Sequence, residues 1–483
     1  MWWQRTIRSV SDSPKIGEQS GLDAYLSKTV PVWFVAALVL FFTCAIVAFG
    51  WYVKRSVYLD DHSPVARGAI AVASFPTDVK KVFKELALRQ SGYHADYRYV
   101  QAHPDTTDFS GFSPVGSQLK TAIEGLVVRK GPGVPERGWR VIVGGFRIDG
   151  SVEDAAVLLS PDLEIVRYWL LAKDSATSAD PPSANLTAGL TLLKDGSVII
   201  DSAGSGLRRL DSCSRPIWSI EGGYNHAVTL DDTETTVWTF RHDDAADRAE
   251  ADKIVQIAVA DGKIVREFSV ADVIAANPEI DVLELRRYHE AEAHENLRGK
   301  PGVWLTDPFH LNDADPLPRD LADRFPMFSA GDLAISAREL NLIFVLDPRT
   351  LAIKWWRVGD TIRQHDVDWT ADGRLSIFNN RMARDYSEIV EIDPATSVKT
   401  VVVGHEDVNF YTRVAGMHQR LPGGDILIVS KYQGRVIEVA PNRDKALEFY
   451  SLLSERPIVA ILSEAAFLPE PALDIAAMPC GKP

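Results

Sequence analysis

Cysteine is scarce. Three residues in 483 are too few for a disulfide framework, and none has the close spacing of a zinc site. Cys44 sits inside an apolar run. Cys213 and Cys480 read as two inert thiols, with a bond between them as the alternative should the C-terminal tail wrap back. Positive charge is also in short supply: 52 Lys and Arg stand against 66 Asp and Glu, for a net charge of −14. With no basic run, a binder of phosphate backbones is excluded. No GxSxG elbow, GxxxxGK phosphate loop or HExxH zinc motif occurs, which removes the commonest hydrolase, nucleotide and metalloprotease readings.

Apolar residues make up 46 % of the chain, enough for a substantial core. The plainest physical signal is the uncharged run from Pro31 to Val53. Its length as a helix matches a bilayer core of roughly 30 Å. Trp33 lies near one end and Trp51 and Tyr52 near the other, as in an interfacial aromatic belt. The run is too long for a cleaved signal peptide and no small-residue cleavage site follows it. A retained anchor over 31–53 after a tail at 1–30 is therefore expected. Arg5, Arg8, Lys15 and Lys28 precede the run while Lys54, Arg55 and Arg67 follow it, so charge leaves the orientation open. Residues 54–138 read as a connecting region with an amphipathic helix over Asp78 to Arg89.

From about residue 139 a repeat takes over. LLKDGSVIIDSAGSGLRRLDSCSRPIWSI (192–220) contains short β-rich strands, an Asp-Gly turn and a Leu-Asp before a strand ending near Trp. The layout returns at 331–356, 369–403 and 421–450, with looser copies at 139–171 and 226–268. Asp-Gly supplies the positive φ of a tight hairpin. Six copies at roughly 40–50-residue spacing predict an all-β, six-bladed propeller over 139–456. A short helical insertion is expected at 270–302, its charges forming a solvated surface, and a C-terminal tail at 457–483.

Four of the eleven histidines take the same place in four repeats, at or just before the first strand: His226, His310, His365 and His418. Innermost strands line a propeller's channel, so these positions converge on its axis. A single such histidine is as readily a loop residue bonded to a carbonyl; four together favour a site. Metal binding is disfavoured because no HxH or HxxxH pair occurs among them, and each ligand would have to come from a separate blade.

The segments QHDVDWTADGRLSIFNN, FHLNDAD, GDLAISARELNLIFVLD and AGMHQRLPGGDILIV resemble the signature blades of arylsulfotransferases, over roughly residues 138–452. The resemblance implies a six-bladed propeller, acting outside the cytoplasm, that moves a sulfuryl group from a phenolic sulfate to another phenol without a nucleotide or other cofactor. It implies His365 as nucleophile, His310 and Asn312 as sulfuryl-oxygen contacts, Arg338 as the sulfate-binding arginine and His226 as a further pocket histidine. His418 is a pocket-lining candidate, and Asp366 could orient the His365 ring. The sequence departs from the family at Asn225-His226, where a histidine pair is usual, and after Phe378-Asn379-Asn380, where Arg381-Met382-Ala383-Arg384 follows.

The chemistry is sound without the resemblance. A sulfate ester spreads one negative charge over three oxygens and calls for donors on several sides. The guanidinium of Arg338 is a planar fork of donors, although pairing with Glu339 or Asp347 is its blander role. A neutral imidazole is a competent nucleophile, and a protonated His226 or His310 could serve the leaving oxygen. Two rivals stand beside the membrane-anchored sulfotransferase: a non-catalytic platform for a protein partner, since propellers host many functions, and a sulfate-ester hydrolase.

Overall fold

The computed structural model describes residues 31–58, 63–65, 67–76, 79, 99–101, 109–171, 189–201, 206–245, 247–288, 303–305, 307–453, 458–470 and 472–473. It divides into two units, Met1–Phe83 and Lys84–Pro483.

The first unit holds a helix over Val32–Tyr58. Its stretch Val32–Arg55 is long and apolar enough to cross a membrane. The amphipathic helix expected over 78–89 lies outside the described residues.

The second unit is a six-bladed propeller. Four blades are plain four-stranded antiparallel meanders, each starting at the channel and ending at the rim. They are the second blade (Leu190–Leu192 to Pro216–Ile220), the third (Tyr224–Leu230 to Ile264–Ser269), the fourth (Leu311–Pro316 to Ile353–Val358) and the fifth (His365–Trp369 to Lys399–Val403). Inner residues of the middle strands, such as LAISA and LIFVL in the fourth blade, are buried without interruption. A strand buried on both faces reads as a continuous apolar run, because alternate side chains go to opposite neighbours. Thus Ile335 and Phe344 pack toward the third blade and Ala334, Ile343 and Val345 toward the fifth. Six apolar clusters fill the six spaces between neighbouring blades. At the tip of the TADG hairpin Gly373 has φ +80, and a Cβ there would lie 2.9 Å from Arg324 O, so glycine is required.

The ring closes differently from the way the repeat suggests. The innermost strand of the first blade is Leu462–Pro469, paired antiparallel with Gly138–Ile148 from the other end of the unit. The sixth blade, Met417–Arg420 to Lys445–Ser451, takes Leu126–Lys130 as an added strand outside Lys445–Ser451. The sheets therefore reach beyond the 139–456 boundaries at both ends, into stretches expected as connecting region and tail. Ring closure draws on strands distant in sequence, and the local repeat carries no trace of them.

Among its described residues the insertion is only partly helical. Val270–Ala276 is a helix with a capping box between Ser269 and Asp272. Arg287–Tyr288 instead pairs with Val303–Trp304 as a small antiparallel ladder, and residues 289–302 lie outside the described set. Cys213 is disulfide-bonded, whereas Cys44 is free and exposed. The reading of Cys213 as an inert thiol is corrected accordingly; Cys480 lies outside the described residues.

Candidate active site

The four histidines sit at the channel ends of four consecutive innermost strands. Three of these strands are irregular there. The ladder slips between Asn225 and Thr229, between Leu311 and Asp313, and between His365 and Val367. His226 (φ +67), His310 (φ +47) and Asp366 (φ +56) take left-handed conformations at or beside these slips. Non-glycine residues adopt that region at a cost, and bulges of this kind re-aim side chains. Here they turn them into the channel.

A cavity of about 560 Å³ opens there, lined among others by His226, Asn312, Arg338, His365, Asp366 and His418. The volume falls in the usual range for a small-molecule site. His310 lines an adjoining cavity of about 290 Å³ that shares His226 as its wall. The His226 and His310 rings meet edge to face with centroids 4.7 Å apart. All seven residues singled out from the sequence thus gather at one end of the channel, with His310 one step behind the others.

His365 is 7 % exposed. Its Nδ1 lies 2.7 Å from Asn380 Oδ1 and 3.1 Å from Arg363 O. The Asn380 amide is oriented by its own donors, since Nδ2 reaches Thr412 O at 2.9 Å and Ala415 O at 2.6 Å. Both neighbours of Nδ1 are acceptors, so Nδ1 carries the hydrogen and Nε2 holds the lone pair. Ala415 N–H donates to that Nε2 at 3.1 Å. Burial foremost, with the charges of Arg338 and Lys431 and the neighbouring His310, holds His365 down to about 3 against the Asn380 bond. The ring is therefore neutral at pH 7. His226 is held well below the usual histidine range, by burial first and then by His310, His365 and Arg338, so its part as a protonated acid is not supported at neutral pH.

Arg338 opens a 3-10 turn, Arg338–Leu340, directly after Leu333–Ala337, and its backbone N–H donates to His310 O at 3.1 Å. Nη2 lies 3.0 Å from Glu339 Oε1 and 3.8 Å from Asp307 Oδ2. The pairing with Glu339 is thus real, but Glu339 also holds Arg286 and Arg363. Three guanidiniums face two carboxylates, which leaves the corner cationic. Arg338 Nε is buried with no partner among the described residues, as are His310 Nε2 and Asn312 Oδ1. Buried polar atoms are nearly always paired, so three such atoms on neighbouring residues mark this corner as unusually polar. Asp307 Oδ2 sits 2.5 Å from His310 Nδ1. Burial works to raise the Asp307 carboxyl, but the His310 bond and the charges of His310 and Arg338 hold it below the usual range.

Asp366 does not orient His365. Its Oδ2 accepts from the His418 backbone N–H and lies 2.6 Å from His418 Nδ1. The left-handed backbone at Asp366 turns the carboxylate toward the sixth blade, and Asn380 orients His365 in its place. Asp366, Asp368 and His418 bring three ligand-type atoms within 4.8 Å of one another, yet Ser376 Oγ occupies His418 Nε2 at 2.6 Å. With both its nitrogens engaged, His418 is a scaffold for Asp366. Around it Asp313, Asp315, Asp366, Asp368 and Glu464 are all pushed up by burial, Asp366 to about 7. The cavity is therefore cationic on one side and carboxyl-lined on the other.

No sequence signal gave Asn380 a role, although it closes the Phe378-Asn379-Asn380 stretch, and none gave a role to Gln364, although it opens the Gln-His-Asp motif. Gln364 is fully buried; its side-chain amide N–H groups reach Ser336 Oγ at 3.2 Å and Leu342 O at 3.0 Å, and its backbone carbonyl accepts from Asn312 Nδ2 at 2.9 Å. Gln364 thus fastens the fifth blade to the fourth.

Among solved structures the chain is similar to a protein of unknown function from Bacteroides caccae (9 % identity over 69 % of this chain and 100 % of that one, TM-score 0.43). It is also similar to TolB from Acinetobacter baumannii (10 % identity, 70 % and 68 %, TM-score 0.41), and to virginiamycin B lyase from Staphylococcus aureus (11 % identity, 56 % and 71 %, TM-score 0.32). No curated protein matches it. The sequence profile described as arylsulfotransferase (ASST) matches residues 189–451. That match spans more than half of the chain and contains the histidines, Arg338, Asn312 and Asn380, and the protein belongs to the arylsulfotransferase family.

Proposed function

We propose that the protein transfers a sulfuryl group from a phenolic sulfate ester to a phenol through a sulfo-histidine on His365, without a nucleotide. One observation carries this reading: the Asn380 bond holds the hydrogen of His365 on Nδ1 and so leaves the lone pair on Nε2, in a residue that lines the same cavity as Arg338. In the first half-reaction the Nε2 lone pair forms a bond to sulfur while the aryl oxygen–sulfur bond breaks. The electron pair leaves with the phenolate, which takes a proton. In the second, the acceptor phenol loses its proton and its oxygen displaces Nε2 from sulfur, restoring the neutral ring. Arg338, Asn312 and His226 attend the sulfuryl oxygens. His310 is the proton carrier, held through Nδ1 by Asp307 with Nε2 unspent.

The helix Val32–Tyr58 is read as a retained anchor, with the propeller on the non-cytoplasmic side. The bonded state of Cys213 supports that side, because structural disulfides persist in oxidising compartments.

The second reading is a non-catalytic platform. It is favoured by the Ala415 N–H that caps His365 Nε2; transfer requires this bond to yield. The deciding experiment incubates the protein with a chromogenic aryl sulfate, with and without a phenol acceptor, beside His365→Ala. Acceptor-dependent release of the coloured phenol, lost in the variant, is expected, together with a peptide containing His365 that gains one SO₃. Release without acceptor would indicate a hydrolase, and no release in the wild type would indicate the platform.

A further inference from the structure

Three consecutive blades place a polar residue at one structural position. Arg338, Asn380 and Lys431 each directly follow a five-residue second strand: Leu333–Ala337, Leu375–Asn379 and Ile426–Ser430. The two outer members match in detail. Arg338–Leu340 and Lys431–Gln433 are both single 3-10 turns. Each is closed by a left-handed residue, Asn341 (φ +50) and Gly434 (φ +59), whose N–H returns to the carbonyl of the cation at 3.1 and 3.0 Å. The fifth blade, which carries His365 and Asn380, lies between them. A cation therefore approaches the ring from each flanking blade.

Lys431 is 9 % exposed and lines the same cavity as His365, Arg338 and His226. Its Nζ makes no hydrogen bond or ion pair with any described residue. Glu464 of the first blade feels the Lys431 charge but forms no ion pair with it. Lys431 lines the cavity, and an ammonium with unspent donors there is available to an anionic ligand.

We infer that Lys431 is a second cationic binding residue for the sulfuryl group, meeting its oxygens from the side opposite Arg338. The inference rests on the sulfotransferase reading for its ligand, and on the repeat geometry for its position. A sulfuryl group in transfer keeps three oxygens around sulfur, with the entering and leaving atoms on the remaining axis. Donors on two sides of that ring of oxygens suit it better than one. The competing role is that of a counter-charge for Glu464.

Inorganic sulfate is the probe, read as protection of the full-length protein in thermal unfolding, with aryl-sulfate turnover measured in parallel. Lys431→Met is expected to weaken sulfate protection about ten-fold, the loss of one charge-assisted contact, without lowering the melting temperature in the absence of sulfate. Lys431→Arg should restore most of the protection, and Glu464→Gln should leave it in place. If Lys431→Met is poorly folded, a Lys431→Arg variant with intact protection and Lys431→Gln with weakened protection give the same support. Wild-type-like sulfate affinity in Lys431→Met or Lys431→Gln, or no protection of the wild type, overturns the inference. Lys431-dependent sulfate binding in a protein without turnover upholds the anion site and removes the transferase reading. Turnover that is indifferent to Lys431→Met does the reverse.

Discussion

Asn380 stands to His365 as a fixed bracket: its Oδ1 takes the ring Nδ1 hydrogen at 2.7 Å, while its Nδ2 is clamped between the carbonyls of Thr412 and Ala415. The same Ala415 donates its N–H to the opposite ring nitrogen at 3.1 Å. One amide thus sets the tautomer of the imidazole and positions the loop that covers its lone pair.

Asn380→Ala should accordingly do two things. It takes the amide donor from the Ala415 carbonyl and leaves the ring N–H and the Thr412 carbonyl only their longer bonds, to Arg363 O at 3.1 Å and from Ser387 Oγ at 3.4 Å, which costs about 1–3 kcal/mol in a buried setting, measurable by urea unfolding. It also frees the ring to flip, so aryl-sulfate turnover should fall by roughly one to two orders of magnitude. Turnover that stays at the wild-type level would show that the tautomer is not set here.

The acid limb of the reaction is a second test. His365 is held down to about 3 by burial and nearby positive charge, so its ring stays unprotonated through mildly acidic conditions. The burst of coloured phenol in a single turnover should be nearly constant from about pH 8 to about pH 5. A fall in the burst centred at the ordinary histidine pKa of about 6.5 would contradict the buried, neutral ring.

Asp366 gives a stability signature of known sign. Burial raises its carboxyl from 3.8 to about 7, so the fold favours the protonated form. The corresponding stability is fully present below the unfolded pKa and is lost as pH rises through about 7. Asp366→Asn removes that loss. Relative to wild type the variant should gain, on the order of 4 kcal/mol, between pH 4 and pH 8 in urea unfolding. The comparison must be relative because His365, His226 and His418, all lowered, contribute the opposite slope. A constant difference across that range would rule out the shift.

Gly416 lies beside the capping loop at φ +110, where a Cβ would meet Phe378 Cζ at 2.8 Å and Thr412 Cγ2 at 3.0 Å. Gly416→Ala should therefore destabilise the propeller by about 1–3 kcal/mol, through strained backbone and a crowded ring. An unchanged midpoint in denaturant would mean that the loop relocates without cost.

How much of this was readable in advance follows from the range of each signal. Alternation, Asp-Gly turns and the recurrence of His226, His310, His365 and His418 are local patterns repeated several times, so they disclosed the blades and the convergence on one axis. Leu462–Pro469 escaped because its partner strand lies at the other end of the propeller unit and its own segment lacks the turn signature. Asp366 was assigned to the neighbouring ring on adjacency alone, whereas a single left-handed φ sends it to His418. Asn380 and Lys431 sit where the repeat is least uniform, directly after the second strand, and only superposition of blades in space shows that they answer to Arg338.

The strand Leu462–Pro469 is synthesised after every other blade strand described here, yet it is the inner wall of the first. A nascent chain therefore emerges as an open arc with an uncovered apolar slot beside Gly138–Ile148, and Glu464 reaches the channel last of all. Chaperone engagement should concentrate on that slot, and the closed cavity should appear abruptly, at release, and not in proportion to the length already made.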